Sequence, residues 1–205
     1  DNGLQTFGVD PATNLHSVST RSGHEVVLDF WNKDAQSTVL QKAKHRGLDI
    51  ITSQNAFAHI PDPLGYLELV CDAMHQDSLM FISTSQADMI LNNEFDTIYH
   101  EHISFFNVKS MQALAERAGL HLIDVVKTPI HGTSYIFVLS QYPGNAYRMA
   151  NILDHERRAG LQTPDTYVLW ASRVDNLLKN LKNDVVTTWL RLLWPIKMPE
   201  LFGQS

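Results

Sequence analysis

Cysteine is nearly missing: Cys71 stands alone in 205 residues, which excludes an internal disulfide and any Cys-rich zinc knuckle and suits a reducing cytoplasm. Clustered positive charge is missing too. With a net charge of −6 and no Lys/Arg run, the chain has no electrostatic footprint for nucleic acid or an anionic membrane. No apolar run approaches the ~18 residues of a membrane span. The first residues lack the basic and apolar regions of a signal peptide. There is no internal repeat and no low-complexity tract. What remains is 44% hydrophobic and 19% charged, the composition of an ordinary soluble globular chain that buries a real core. The length suits one domain, or one domain with an appendage. The opening Asp1-Asn2-Gly3, without a methionine, reads as a fragment or a processed product.

From residue 7 to 140 strand-like and helix-like segments alternate, the pattern of an α/β domain. Thr6 to Val9 is a short strand ending at Asp10-Pro11. A helix is expected around 34–46, with Asp34 as N-cap and Gly47 as stop. Leu48 to Thr52 reads as a strand buried on both faces. Asp62-Pro63 opens a helix whose face is Leu64, Leu67, Cys71 and Met74, at spacings of three, four and three. Leu79 to Ser83 is a strand. Met111, Leu114, Ala115 and Ala118 form a helix face closed by Gly119. Leu120–Val126 and Tyr135–Leu139 are two strands, turned by Pro129 to Gly132 and expected to be antiparallel. The rest of the sheet is expected to be mostly parallel. After Pro143-Gly144 the pattern is helical alone. Tyr167, Trp170, Val174, Leu177, Leu181 and Val185 form a long apolar stripe that must bury against something. The division is thus 1–142, a helical segment 143–193, and an irregular tail 194–205.

The block Tyr99-His100-Glu101-His102 sets four protonatable side chains in a row between apolar flanks, Phe95-Asp96-Thr97-Ile98 and Ile103-Ser104-Phe105-Phe106. Histidine titrates nearest physiological pH, and a neighbouring carboxylate and phenol give it orientation and a relay partner. This is a site for moving a proton. Asp10, just past a strand end, reads by itself as a turn or N-cap aspartate. Asn55 to His59 follows Leu48–Thr52, at the strand carboxyl end where open α/β sheets bind ligands.

Gly8-Val9-Asp10-Pro11, Asn55-Ala56-Phe57-Ala58-His59-Ile60-Pro61-Asp62, the Phe95–His102 block and His131-Gly132 occur in this order. Together they resemble the S-adenosylmethionine-dependent sugar C-methyltransferases, which methylate nucleotide-linked keto-deoxysugars. The resemblance covers roughly 7–192 and rests most on the Tyr-His-Glu-His block. It implies a doubly wound Rossmann-like methyltransferase fold followed by a helical segment. It also implies S-adenosylmethionine as cofactor, with Asp10 on the ribose hydroxyls and Asn55 in the cofactor site. The substrate is then a nucleotide-linked sugar. His102 is expected as the base that enolises it, with Glu101 orienting the imidazole. Tyr99 and His59 are expected on the enolate oxygen or substrate hydroxyls, and His131 at the pocket rim.

The departures from the family matter. Thr133 replaces the second glycine of a His-Gly-Gly-Ser turn, and Ile136 stands near the place of an arginine that anchors the diphosphate. The family's glycine-rich loop would lie before Asp1, and a second nucleotide-binding-like domain would follow the long helix. The cofactor site is therefore expected to be incomplete here, with activity awaiting a lobe supplied by another segment or a partner chain. A non-catalytic sugar-nucleotide or partner-binding protein is the alternative. A metal-dependent hydrolase built on His100 and His102, with His131 or Glu101 as third ligand, ranks below both.

Overall fold

The computed structural model describes residues 4–44, 46–85, 88–95, 98–129 and 133–197, with the backbone alone at 85 and 189–197. In chain order the elements are β1 (Phe7–Val9), α1 (Thr13–Arg21), β2 (Glu25–Val27), α2 (Lys33–Lys42), β3 (Leu48–Gln54), a 3₁₀ turn (Phe57–His59), α3 (Pro63–Ala73), β4 (Met74–Ser85), α4 (Asp88–Leu91), α5 (Val108–Arg117), β5 (His121–Thr128), β6 (Ser134–Ser140), α6 (Ala146–Arg158) and α7 (Pro164–Lys197).

Helix α3 starts where its sequence says it should and ends at Ala73, so that Met74, expected on its face, opens β4 instead. The Asp62 carboxylate accepts the Gly65 N–H at 3.0 Å, and Pro63 takes the first turn, where its missing N–H costs nothing. Leu67, Val70 and Ala73 then point into the core. Helix α5 is capped by Asn107, whose side chain accepts the Ser110 N–H while Ser110 answers the Asn107 N–H, and Gly119 closes it at φ +78°.

The strands form two sheets. One has four strands in the order β3-β4-β6-β5, and the other is the parallel pair β1-β2. β3 and β4 run parallel, while β6 runs antiparallel to both β4 and β5. In-register partners share a face, so Met80 and Ile82 of β4 line up with Leu139 and Phe137 of β6. Leu67, Val70, Met111 and Ala115 of α3 and α5 join them in one buried cluster. The architecture is the expected mixed α/β fold with a helical C-terminal segment.

Several local expectations are corrected. Asn32, not Asp34, caps α2 by accepting the Asp34 and Ala35 N–H groups, and α2 ends at Lys42 rather than near residue 46. β3 is not buried on both faces. It lies at a sheet edge, and Ile50 remains 66% exposed. β4 begins at Met74, five residues before the expected start, because an irregularity lets Leu48 pair with Met74 and Ile50 with Leu79. The α7 stripe is buried only at its start. Tyr167, Trp170 and Val174 are half-buried, whereas Leu177, Leu181 and Val185 are exposed. Helix α7 continues to Lys197, through the first residues of the expected irregular tail, and 198–205 lie outside the described residues. Helices α1 and α4 and strand β2 had no counterpart in the sequence reading.

Candidate active site

β3 ends at Gln54, and Asn55 turns the chain with φ +53°, a left-handed conformation that asparagine tolerates better than most residues. Its N–H donates to Ser83 O at 2.9 Å, tying the turn to the neighbouring strand. The 3₁₀ turn Phe57–His59 follows, anchored by the fully buried Phe57, whose ring meets Phe106 at 5.2 Å and Tyr66 at 5.6 Å.

The segment 98–106 is stitched onto this turn. Ile103 and Ser104 both donate to the Ala58 carbonyl, at 2.9 and 3.2 Å. His59 Nδ1 donates to the Glu101 carbonyl at 2.9 Å. A carbonyl only accepts, so this bond places a proton on Nδ1 of His59. The two imidazoles lie 4.8 Å apart between centroids. The Tyr99 ring stacks on His102 at 4.2 Å, and the two side chains share a hydrogen bond of 3.1 Å between the Tyr99 hydroxyl and His102 Nε2. Phe105 meets the same imidazole edge-on at 5.8 Å. His59 and His102 are half-buried, and Tyr99 is 45% exposed. The cluster is therefore reachable from solvent yet held by apolar rings.

Sequence segments 42 residues apart thus converge, and His59, Tyr99 and His102 form one cluster. Glu101 enters it through its backbone. Its carboxylate lies 3.9 Å from His100 Nε2, both side chains well exposed, and the partner on His102 Nε2 is Tyr99. Asp10 lies elsewhere, at the end of β1. Its Oδ1 accepts the Ala12 N–H at 2.7 Å in a turn, and it lines a cavity of about 330 Å³ with Gly8, Ser19, His24 and Val26 among others. Asn55 is exposed at the end of β3. His131 lies outside the described residues. Among the described residues no group of three or more His, Cys, Asp or Glu side chains is placed to hold a metal ion.

The sequence reading missed a buried polar group near the same strand ends. Asp88 pairs with Lys127 and accepts from the Tyr135 hydroxyl at 3.2 and 3.3 Å. Burial, reinforced by the negative charge of Asp88, raises the Tyr135 phenol well above its ordinary value, so it stays protonated and donates. These residues come from α4, β5 and β6, and no local spacing joins them.

Residues 1–125 match a family model described as a methyltransferase domain. Over 191 residues the chain is 30% identical to the C-methyltransferase NovU of Streptomyces niveus, in an alignment covering 90% of this chain and 45% of that protein. The chain thus spans less than half the length of this relative. Among solved structures, LepI in complex with SAM is similar with a TM-score of 0.51 and 16% identity, over 68% of this chain and 37% of that one. The plantazolicin methyltransferase BamL, in complex with a triazolic desmethylPZN analog and SAH, gives 0.50 and 10%, over 69% and 70%. At such identities these two likenesses are of fold.

Proposed function

The chain belongs to the methyltransferase domain family, and from that premise we propose that it serves methyl transfer from S-adenosylmethionine to an enolisable carbon of a nucleotide-linked keto-deoxysugar. The observation that carries this reading is the pair of imidazoles, 4.8 Å apart, with a phenol on one of them. Transfer to oxygen or nitrogen can use a lone pair already present. Transfer to carbon first needs a carbon nucleophile, which a base makes by removing the proton beside a ketone. The likeness to a C-methyltransferase supports the same choice.

The bound cofactor supplies an electrophilic methyl group on its sulfonium. Asp10 and Asn55 are the residues proposed to hold it. One oxygen of the Asp10 carboxylate is engaged by Ala12, and the other suits a ribose hydroxyl. His102 is the proposed base. Because the Tyr99 hydroxyl shares its Nε2, the proton leaving the substrate carbon passes to the Tyr99 oxygen as the Tyr99 proton passes to His102. The pair gains one proton and the substrate becomes an enolate. His59 Nε2, with Nδ1 committed to the Glu101 carbonyl, accepts from a substrate hydroxyl. Glu101 is proposed to act through that carbonyl. His131 is proposed for the rim of the substrate pocket.

No helix among the described residues is long and apolar enough to cross a membrane. The lone Cys71 supports a cytoplasmic setting.

Proton exchange in heavy water tests the base. The protein should exchange the proton beside the ketone of a nucleotide-linked keto-sugar, and His102→Asn should slow this by about 10²–10⁴-fold. Full exchange in His102→Asn with loss in His59→Asn would transfer the base to His59. No exchange in the protein with any keto-sugar, with S-adenosylhomocysteine present, would favour a binding role without turnover.

A further inference from the structure

The segment carrying Tyr99 and His102 has two feet, and one turn holds both. The first foot is α4, whose Met89 and Ile90 are buried against Leu161, with Tyr167 and Trp170 packed on the same cluster. Arg173 of α7 donates to the Ile90 carbonyl at 3.3 Å. The second foot is the start of α5. There Glu156 of α6, only 3% exposed, accepts the Val108 N–H at 2.6 Å and the Lys109 N–H at 3.0 Å, and so fills the end of the helix with a carboxylate. Asn107 Nδ2 donates to the Leu161 carbonyl at 2.9 Å and to the Tyr167 hydroxyl at 3.4 Å. Tyr167 in turn donates to the Leu161 carbonyl at 2.9 Å.

Leu161 therefore touches both feet, with its side chain on one and its carbonyl on the other, while Tyr167 packs on the cluster that holds the first foot and meets Asn107 of the second with its hydroxyl. Among its described residues the segment between the feet has no helix or strand; its middle is tied to the 3₁₀ turn through Glu101, Ile103 and Ser104, and its two ends are held by the feet. These residues lie beyond the 1–125 family match, which gives them no role.

We propose that the α6–α7 turn sets the spacing of the His59–His102 pair by clamping both ends of the segment that carries His102, and that Tyr167 is a positioning residue for that pair. The proposal rests on reading the cluster as the proton-handling site. Its geometry stands whether or not the substrate is a keto-sugar.

The test is imidazole nitrogen NMR on the 205-residue chain. Tyr167→Phe keeps the ring and removes the hydroxyl. It should displace the His102 Nε2 and His59 Nδ1 resonances while the protein stays folded. Glu156→Gln keeps the shape and removes the charge, and it should displace them too. It also decides the matter if Tyr167→Phe fails to fold. Val39→Ala, in the buried face of α2, is the control for lost stability alone and should leave both resonances in place. Where proton exchange is measurable, Tyr167→Phe should slow it about tenfold to a hundredfold, as for a small misplacement of a reacting group. Unmoved resonances in the folded variants would overturn the proposal, as would an equal displacement by Val39→Ala. Loss of exchange in every protein, with the resonances still moving as described, would sink the proposed reaction and leave the clamp standing.

Discussion

The two sheets are made of the same kind of unit and differ in what they bury. In the four-stranded sheet, α3 and α5 each place three residues in the core, and β6 is buried along almost its whole length. In the β1-β2 pair, three register positions hold the strands together, and the connecting α1 buries no residue. Beyond their partners β2 and β4, strands β1 and β3 pair with no other strand among the described residues. The imidazole cluster hangs from the well-packed sheet, through the 3₁₀ turn after β3. Asp10 hangs from the lightly packed one. The proposed proton handling thus sits on the well-packed scaffold, whereas the proposed ribose contact sits where local opening is cheapest.

The sharpest way to break this comparison is to cut into each side. Phe137→Ala in β6 removes a fully buried ring and should cost about 3–5 kcal/mol in urea unfolding. Val26→Ala in the half-buried β2 should cost under about 1 kcal/mol. Equal costs would mean that the β1-β2 pair is as much a part of the cooperative unit as the larger sheet.

Glu156→Ala comes next in size. It leaves the Val108 and Lys109 N–H groups without their carboxylate, and should lose about 1–3 kcal/mol. Glu156→Gln should fall between the wild type and Ala, because an amide oxygen still accepts one of the two. An effect near zero would show that water replaces the carboxylate, and that the second foot of the clamp is weaker than its burial suggests.

The elements that sequence reveals are those specified locally. Asp62-Pro63 and the Leu64–Leu67–Cys71 spacing locate α3 because cap and face lie within one window, and Gly119 marks the end of α5 for the same reason. Asn32 and Asp34 can both cap a helix. The choice depends on which side chain finds two free N–H groups, a matter of backbone angles. Leu48–Thr52 carries the residues of a strand, but its burial depends on which strands flank it, and that is set by residues far along the chain. The histidine block marks a candidate site through its composition. That Glu101 serves His59 through its carbonyl, while Tyr99 takes His102, could not be read there, because a backbone carbonyl is carried by every residue. The Asp88–Lys127–Tyr135 group joins three distant segments and left no local signal.

High pH should separate the two sheets again, with a smaller effect. Burial raises the phenols of Tyr135, Tyr66 and Tyr167 above their ordinary value of 10.0, Asp88 adding to the first. A raised folded-state value means that the unfolded chain loses these protons first. Their contribution is therefore whole below about pH 10 and declines as pH rises beyond it. All three belong to segments outside the β1-β2 pair. Stability should stay level from neutral pH to the ordinary tyrosine range and then fall, and Tyr135→Phe should flatten part of that fall. A slope unchanged in Tyr135→Phe would place the alkaline sensitivity in the other two.

The smallest effect on stability belongs to Asp10, and there two readings of one residue part. Its Oδ1 holds the Ala12 N–H at 2.7 Å, a bond an asparagine oxygen can keep. Asp10→Asn should therefore change stability by no more than about 0.5 kcal/mol, while Asp10→Ala, losing the turn bond, should cost about 0.5–1.5 kcal/mol. If Asp10 only makes a turn, binding of S-adenosylhomocysteine in titration calorimetry should follow stability, with Asn like the wild type and Ala weaker. If its second oxygen takes a ribose hydroxyl, Asn and Ala should weaken binding alike. The loss of a charged acceptor is then worth about 1.5–3 kcal/mol, roughly tenfold to a hundredfold in affinity. The asparagine variant decides, because it alone keeps the turn while removing the charge. Tight binding in Asp10→Asn would leave the lightly packed sheet with a structural aspartate and move the ribose contact to another residue.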